Sequence, residues 1–263
     1  MTKCLPETVH GIDKKRLKCY TSLVLCTSES KGERCMEIRI LQLIEGAKQA
    51  RGLTVIIDVF RAFTVEAWLS RNHAAAILPV GDIQTALDWR DAHPGTLLCG
   101  ERGGRVIEGF DFGNSPSVIE HADLTGKTVV HTTSAGTQGI ANANGADEII
   151  GGALVNASAI ARYIRLRNPE QVSLVCMGLA GEEETAEDTL CARYIKSLLE
   201  GEPLADMAAE IEQVKRTDGA KFFDPAQQDV FPEADFHLST QVDRFDFVLR
   251  YHRESGIMQR IDV

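Results

Sequence analysis

The chain has 263 residues, 44% of them hydrophobic, and 28 basic against 38 acidic residues give a net charge of −10. That length and apolar content suit one large α/β domain, and the negative balance argues against a nucleic-acid-binding surface. No apolar run approaches the roughly 18 residues of a membrane span, and no leader pattern is present, so the chain reads as cytoplasmic, without nucleic-acid or membrane partners.

Residues 1–35 carry seven Lys or Arg against four Asp or Glu and show no periodicity. They are expected to form a flexible extension, with 36–263 as the α/β domain. Ile38, Ile40 and Leu41 suggest a first strand. Residues 53–59 form an apolar, mostly β-branched run, as expected of a strand covered on both faces, and a helical pattern opens at Ala62. Strands are then predicted at 76–80, 96–99, 127–131, 147–150 and 172–177. Helices are predicted at 82–91, from Pro116, after Thr137, at 156–167 and at 187–200. This alternation predicts a three-layer α/β/α fold with a largely parallel sheet. From residue 203 the rhythm breaks into an irregular C-terminal addition, with a helix near 207–215, an acidic stretch at 222–241 and a late strand or helix at 245–251.

Seven cysteines, an odd count without a CxxC pair, fit a reducing compartment; Cys99, Cys176 and Cys191 stand among apolar neighbours as small core residues. The histidines show no HxxxH or HxH spacing, which argues against zinc. No GxSxG elbow, Walker loop or GxGxxG after a strand is present, which excludes the usual hydrolase-triad, NTPase and dinucleotide readings.

Four polar segments follow predicted strands: Asp58 to Arg61, Glu101 to Gly104, Thr132 to Thr137, and Gly178 to Asp188. In an open parallel sheet such segments converge outside the carboxyl ends of the strands, where ligands bind. Asp58, Glu101 and Asp188 are the candidate metal ligands, and Mg²⁺ suits them because it needs few protein carboxylates. Arg61 and Arg102 are candidates to neutralise an anion. The competing structural account is that Asp58 caps the following helix and pairs with Arg61. Thr132, Thr133, Ser134, Gly136 and Thr137 lead into a helix as an anion cradle would, or form an ordinary N-cap. Asn114 and Ser115 lie in a glycine-bounded loop of fixed shape.

Taken together, Asp58-Val59-Phe60-Arg61-Ala62-Phe63-Thr64, Gly100-Glu101-Arg102-Gly103-Gly104, Gly109 to Pro116, Thr132 to Thr137, Asn156 to Ala159 and Glu187-Asp188 resemble the 2-phosphosulfolactate phosphatases in order and spacing. The resemblance covers about residues 36–250. It implies an α/β/α fold and Mg²⁺-dependent hydrolysis of a small phosphorylated hydroxy acid such as 2-phosphosulfolactate, an intermediate on the route to coenzyme M. Asp58, Arg61, Glu101 and Arg102 would then be catalytic, with water or Asp58 as nucleophile, and the Thr132–Thr137 loop with Asn114 and Ser115 would hold the other end of the substrate. Ala135 stands where asparagine is usual and Val106 where lysine is usual, departures that bear on substrate identity. They motivate an alternative, an anionic-metabolite-binding protein with weak or no catalysis. If the chain assembles, base rates favour a homodimer.

Overall fold

The computed structural model describes residues 36–202 and 204–263, and the expected extension at 1–35 lies outside them. The strands are β1 (Glu37–Gln42), β2 (Gly52–Ile57), β3 (Ala76–Pro79), β4 (Leu97–Arg102), β5 (Arg105–Val106), β6 (Thr128–Thr132), β7 (Ala146–Gly152), β8 (Gln171–Cys176), β9 (Phe247–His252) and β10 (Ile257–Asp262). The α-helices are α1 (Leu43–Gln49), α2 (Ala62–Arg71), α3 (Ile83–Ala92), α4 (Pro116–Ile119), α5 (Gly136–Asn142), α6 (Ala157–Arg167), α7 (Ala186–Glu200), α8 (Met207–Arg216) and α9 (Glu233–Ser239).

All strands join one sheet in the order β1-β8-β2-β7-β9-β10-β3-β6-β4-β5. Two parallel blocks, β1-β8-β2-β7 and β3-β6-β4, are joined by the antiparallel β9-β10 hairpin. The C-terminal stretch that departs from the βα alternation therefore occupies the middle of the sheet, and the segment expected as a late strand or helix is strand β9.

Side-chain alternation divides the core into layers. Ile56 of β2 packs with residues of α1, α2 and α5, whereas Val55 and Ile57 face α6 and α7. In the second block Val129, Ile77 and Cys99 join the α2 side, while Val130, Leu78 and Leu98 face Ala86 of α3. Helix α2 is central to both blocks, and every residue from Ala62 to Ser70 is buried. A helix packed on all sides must be apolar almost all round; burial of Phe63, Trp68 and Leu69 is worth about 1.5–3 kcal/mol each.

The three polar residues that break this rule on α2's apolar course, Thr64, Glu66 and Ser70, are buried as well. Glu66 lies 2.9 Å from His131 of β6, so the polar exception on the helix meets a polar exception on the strand.

The ladder makes β4 and β6 run opposite to β2 in the sheet, which a uniformly parallel sheet would not. Five neighbour steps separate β2 from β6. At the usual twist of about 20–25° per step, five steps would amount to roughly 100–125°. The ends of β4 and β6 meet the end of β2 all the same, as the Asp58–Gly136 and Glu101–Ser134 hydrogen bonds show.

Candidate active site

Asp58 follows the last residue of β2. Its Oδ1 accepts the amide of Ala62, the first residue of α2, at 3.0 Å; its Oδ2 accepts the amide of Gly136, the first residue of α5, at 2.9 Å. One carboxylate thus sits on two helix N-termini, which favour negative charge. The capping role expected for Asp58 is present, on two helices. The ion pair with Arg61 expected beside it is not: Arg61 pairs with Asp235 of α9, NH1 to Oδ2, at 2.6 Å. The peptide between Phe60 and Arg61 is cis, and the Asp58 and Arg61 side chains bind different partners.

Glu101 is the fifth residue of β4, within the strand rather than after it. Its Oε1 accepts the amide of Ser134 at 2.9 Å and its Oε2 that of Gly104 at 2.7 Å. Asp188, in the first turn of α7, accepts the amides of Val59 and Gly178, each at 2.8 Å. The four loops predicted to meet do meet, because each carboxylate is tied to a backbone amide of another loop or of its own. All three carboxylates are buried, at 5, 8 and 2% exposure for Asp58, Glu101 and Asp188.

That burial has an electrostatic consequence. Desolvation, then the charge of Asp188 and more weakly that of Glu101, pushes the Asp58 carboxyl up to about 7 despite its two amide donors. Burial and then Glu187 push Asp188 up to about 8. Glu187, also buried, is raised to about 7 chiefly by burial, and its Oε2 has no partner among the described residues. Four acidic groups are thus concentrated in a region where water does not screen them.

The cations are arranged around this cluster. Arg61 is 4% exposed and donates to Asp235, to the carbonyl of Val230 at 2.9 Å and to that of Gly104 at 3.0 Å. Its guanidinium also lies 5.0 Å from the Phe231 ring centre. Arg102 is half-buried and donates to Thr132 Oγ1 at 3.0 Å and to the carbonyl of Glu101. Gly104 has φ +80°, and a Cβ there would stand 2.4 Å from Phe231, so the glycine lets the 230–231 segment close over Arg61.

The hydroxyl-rich turn is largely engaged with itself. The Thr133 and Thr137 hydroxyls exchange hydrogen bonds with each other's backbone, and Thr132 accepts from Arg102. Ser134 is half-buried, and its hydroxyl has no partner among the described residues. Ser115 donates to Asp235 at 2.9 Å, joined there by the hydroxyl and amide of Ser117. Asn114 is held through Oδ1 by His131 Nε2 at 3.1 Å. Val106 is exposed, and Ala135 is the buried residue just before α5.

Three residues of this arrangement escape sequence reading: Asp235, Glu66 and His131. Asp235 lies in the stretch read as irregular and acidic, and nothing local distinguishes it from its neighbours. Glu66 and His131 do carry a signal, since a polar residue within a buried apolar run needs a partner. The pairing itself is tertiary.

A family model described as 2-phosphosulpholactate phosphatase matches residues 38–254. Among curated relatives, a probable 2-phosphosulfolactate phosphatase of Caldicellulosiruptor saccharolyticus is 41% identical over 148 residues, 55% of this chain and 61% of that protein. One of Bacillus subtilis is 28% identical over 224 residues, covering 84% of this chain and 96% of the relative. One of Thermotoga maritima is 37% identical over 159 residues, 60% of this chain and 67% of the relative. The chain thus spans about three fifths of the first relative and nearly all of the second. With the family match running from β1 through β9, the chain belongs to the 2-phosphosulpholactate phosphatase family.

Proposed function

We propose that the chain is a magnesium-dependent phosphatase that hydrolyses a small phosphorylated hydroxy acid carrying a second anionic group, with 2-phosphosulfolactate as the substrate its relatives' names suggest. The observation that carries this reading is the buried convergence of Asp58, Glu101 and Asp188, where desolvation first and then the repulsion of its neighbours raise Asp58 to about 7. A divalent cation relieves that repulsion and leaves the carboxylates ionised.

The donor set suits magnesium in a particular way. Among the described residues no three His, Cys, Asp or Glu side chains stand ready to enclose a metal ion. Magnesium needs no such cage: it binds through one or two carboxylates and completes its shell with water and substrate oxygens. Each oxygen of Asp58 and Glu101 accepts one amide, which leaves a lone pair on each for a cation. Asp58 and Glu101, with Asp188 behind them, would hold the ion, which when bound supplies charge neutralisation at the phosphoryl oxygens and acidifies water.

The chain's own residues do the positioning. Phosphoryl transfer depends on alignment and charge neutralisation more than on covalent help. Arg102 faces the loop and is half-exposed, so it is the cation best placed to meet a phosphoryl oxygen; Arg61, closed in by Asp235 and Val230, acts first by fixing the Gly104 loop. Ser134 offers its hydroxyl beside them. Both oxygens of Asp58 are already oriented by helix amides, which favours Asp58 as a fixed base or ligand and water as the nucleophile.

The test is phosphate release from 2-phosphosulfolactate and a panel of phosphate monoesters, with and without Mg²⁺. Release that requires the ion supports the reading. Thermal stabilisation by the esters with no release across the panel leaves a metabolite-binding protein instead.

A further inference from the structure

Glu66 and His131 are both fully buried, and Asn114 is 4% exposed. His131 Nδ1 lies 2.9 Å from Glu66 Oε1, and its Nε2 lies 3.1 Å from Asn114 Oδ1. The three residues come from α2, from β6 and from the loop before α4, so the contact ties the central helix to the Gly109–Pro116 loop. Glu66 Oε2 has no partner among the described residues.

Proton accounting decides what this chain of atoms can do. If Glu66 were ionised and His131 carried its single proton on Nδ1, the pair would hold a net negative charge at zero exposure, with one carboxylate oxygen unpartnered. Burying an uncompensated charge in that state is costly. If the pair instead shares two protons, one between Oε1 and Nδ1 and one on Nε2, it is neutral overall. Nε2–H then donates outward, and the oxygen of the Asn114 carboxamide is the end that must meet it. The amide NH₂ is thereby turned away from His131. Among the described residues that NH₂ has no acceptor, and unlike Glu66 Oε2 it is not one of the unpartnered atoms sealed from solvent. The residue after Asn114 binds Asp235, the partner of Arg61, and the residue after His131 binds Arg102.

We propose that Glu66 and His131 form a net-neutral buried pair that fixes Asn114 with its amide NH₂ directed at the substrate anion. His131 and Glu66 are positioning residues, and Asn114 supplies the anion-binding donor. The donor half of this rests on the phosphatase reading above; the proton arrangement does not.

Two measurements on the full-length protein separate the halves. The first is nitrogen NMR of ¹⁵N-histidine-labelled protein at neutral pH, with His131 assigned through H131Q. The expected result is a protonated Nε2, retained in Glu66→Gln, whose amide still donates to Nδ1. An unprotonated Nε2 overturns the proposal whether or not the protein is a phosphatase. The second is Asn114→Asp, which gives Nε2–H an acceptor but removes the donor. It is expected to raise KM by about tenfold or more, as loss of a hydrogen bond to a charged group does, with a smaller change in kcat. An unchanged KM on a turning-over enzyme would remove Asn114 from the substrate site. Wild-type protein that turns over no monoester sinks the phosphatase reading, and the nitrogen spectrum still decides the pair.

Discussion

Asp58 performs two jobs that pull against each other. It organises the N-termini of α2 and α5, and it holds negative charge beside Asp188 where water cannot screen it. In Asp58→Asn, whichever way the amide turns, one N–H faces a backbone N–H. The unmade hydrogen bond costs about 1–3 kcal/mol, partly offset by relief of repulsion with Asp188. The variant is expected to fold with a lowered melting temperature and to lose turnover by about 10²–10³-fold, the scale of one electrostatic group at a reacting centre. Steady-state kinetics beside thermal melting checks both, and near-normal turnover would remove Asp58 from the site. Asp235 is the complementary case. It is the sole carboxylate in contact with Arg61 among the described residues, so Asp235→Asn leaves a guanidinium at 4% exposure without its counter-charge. The expected loss is about 3–5 kcal/mol, read from the urea midpoint; an unchanged midpoint would show that Val230, Gly104 and Phe231 hold Arg61 unaided. Asp58, Glu101 and Asp188 were legible in the sequence because each sits at the junction of an apolar run and a polar turn. Asp235 was not, because a carboxylate in an acidic, irregular stretch looks the same whether it faces solvent or a buried arginine.

Among the elements, α5 is the one whose placement decides the site. It reaches β2 because two of its residues lack side chains. A Cβ at Gly136 would stand 2.9 Å from Asp58 Oδ2 and 3.0 Å from the Ala62 Cβ; one at Gly139 would stand 2.5 Å from Ile56 Cγ2 and 2.6 Å from Met177 Sδ. Gly139→Ala is therefore expected to destabilise by about 1–3 kcal/mol through overpacking, whereas Gly136→Ala displaces the carboxylate and is expected to lower kcat/KM by more than its change in stability accounts for. Paired melting and kinetic measurements distinguish them; equal losses of activity in both variants would contradict the placement. The strands and helices of the regular alternation were readable from period and punctuation. Helix α1 was missed because it opens directly from β1 at Leu43, without a connecting loop, and buries only Gly46 and Ala47. The meeting of the four loops was expected from a parallel sheet. The sheet instead carries an antiparallel hairpin at its centre, and the loops converge through hydrogen bonds from one loop to the next rather than by common strand direction.

On the scale of the whole molecule, the buried acids link stability to pH. Asp58, Asp188 and Glu187 have folded-state values near 7, 8 and 7, above their ordinary values of 3.8, 3.8 and 4.5. A raised carboxyl binds its proton more tightly in the folded chain, so its stabilising contribution is full below about pH 4 and is lost as pH rises through 7 to 8. In chelator the melting temperature is expected to fall between pH 5.5 and 8.5. Added Mg²⁺, which competes with those protons, is expected to raise it more at pH 8.5 than at pH 5.5; an equal rise at both would mean that the ion binds elsewhere. The central claim, that this acidic convergence is the working site of a magnesium phosphatase, is tested most directly by phosphate release from 2-phosphosulfolactate as Mg²⁺ is titrated into chelator-treated protein, wild type beside Asp58→Asn. Release that rises from baseline to saturation with Mg²⁺ in the wild type and stays at baseline in the variant is the predicted result. Release that is undiminished in chelator, or equal in the two proteins, would contradict it.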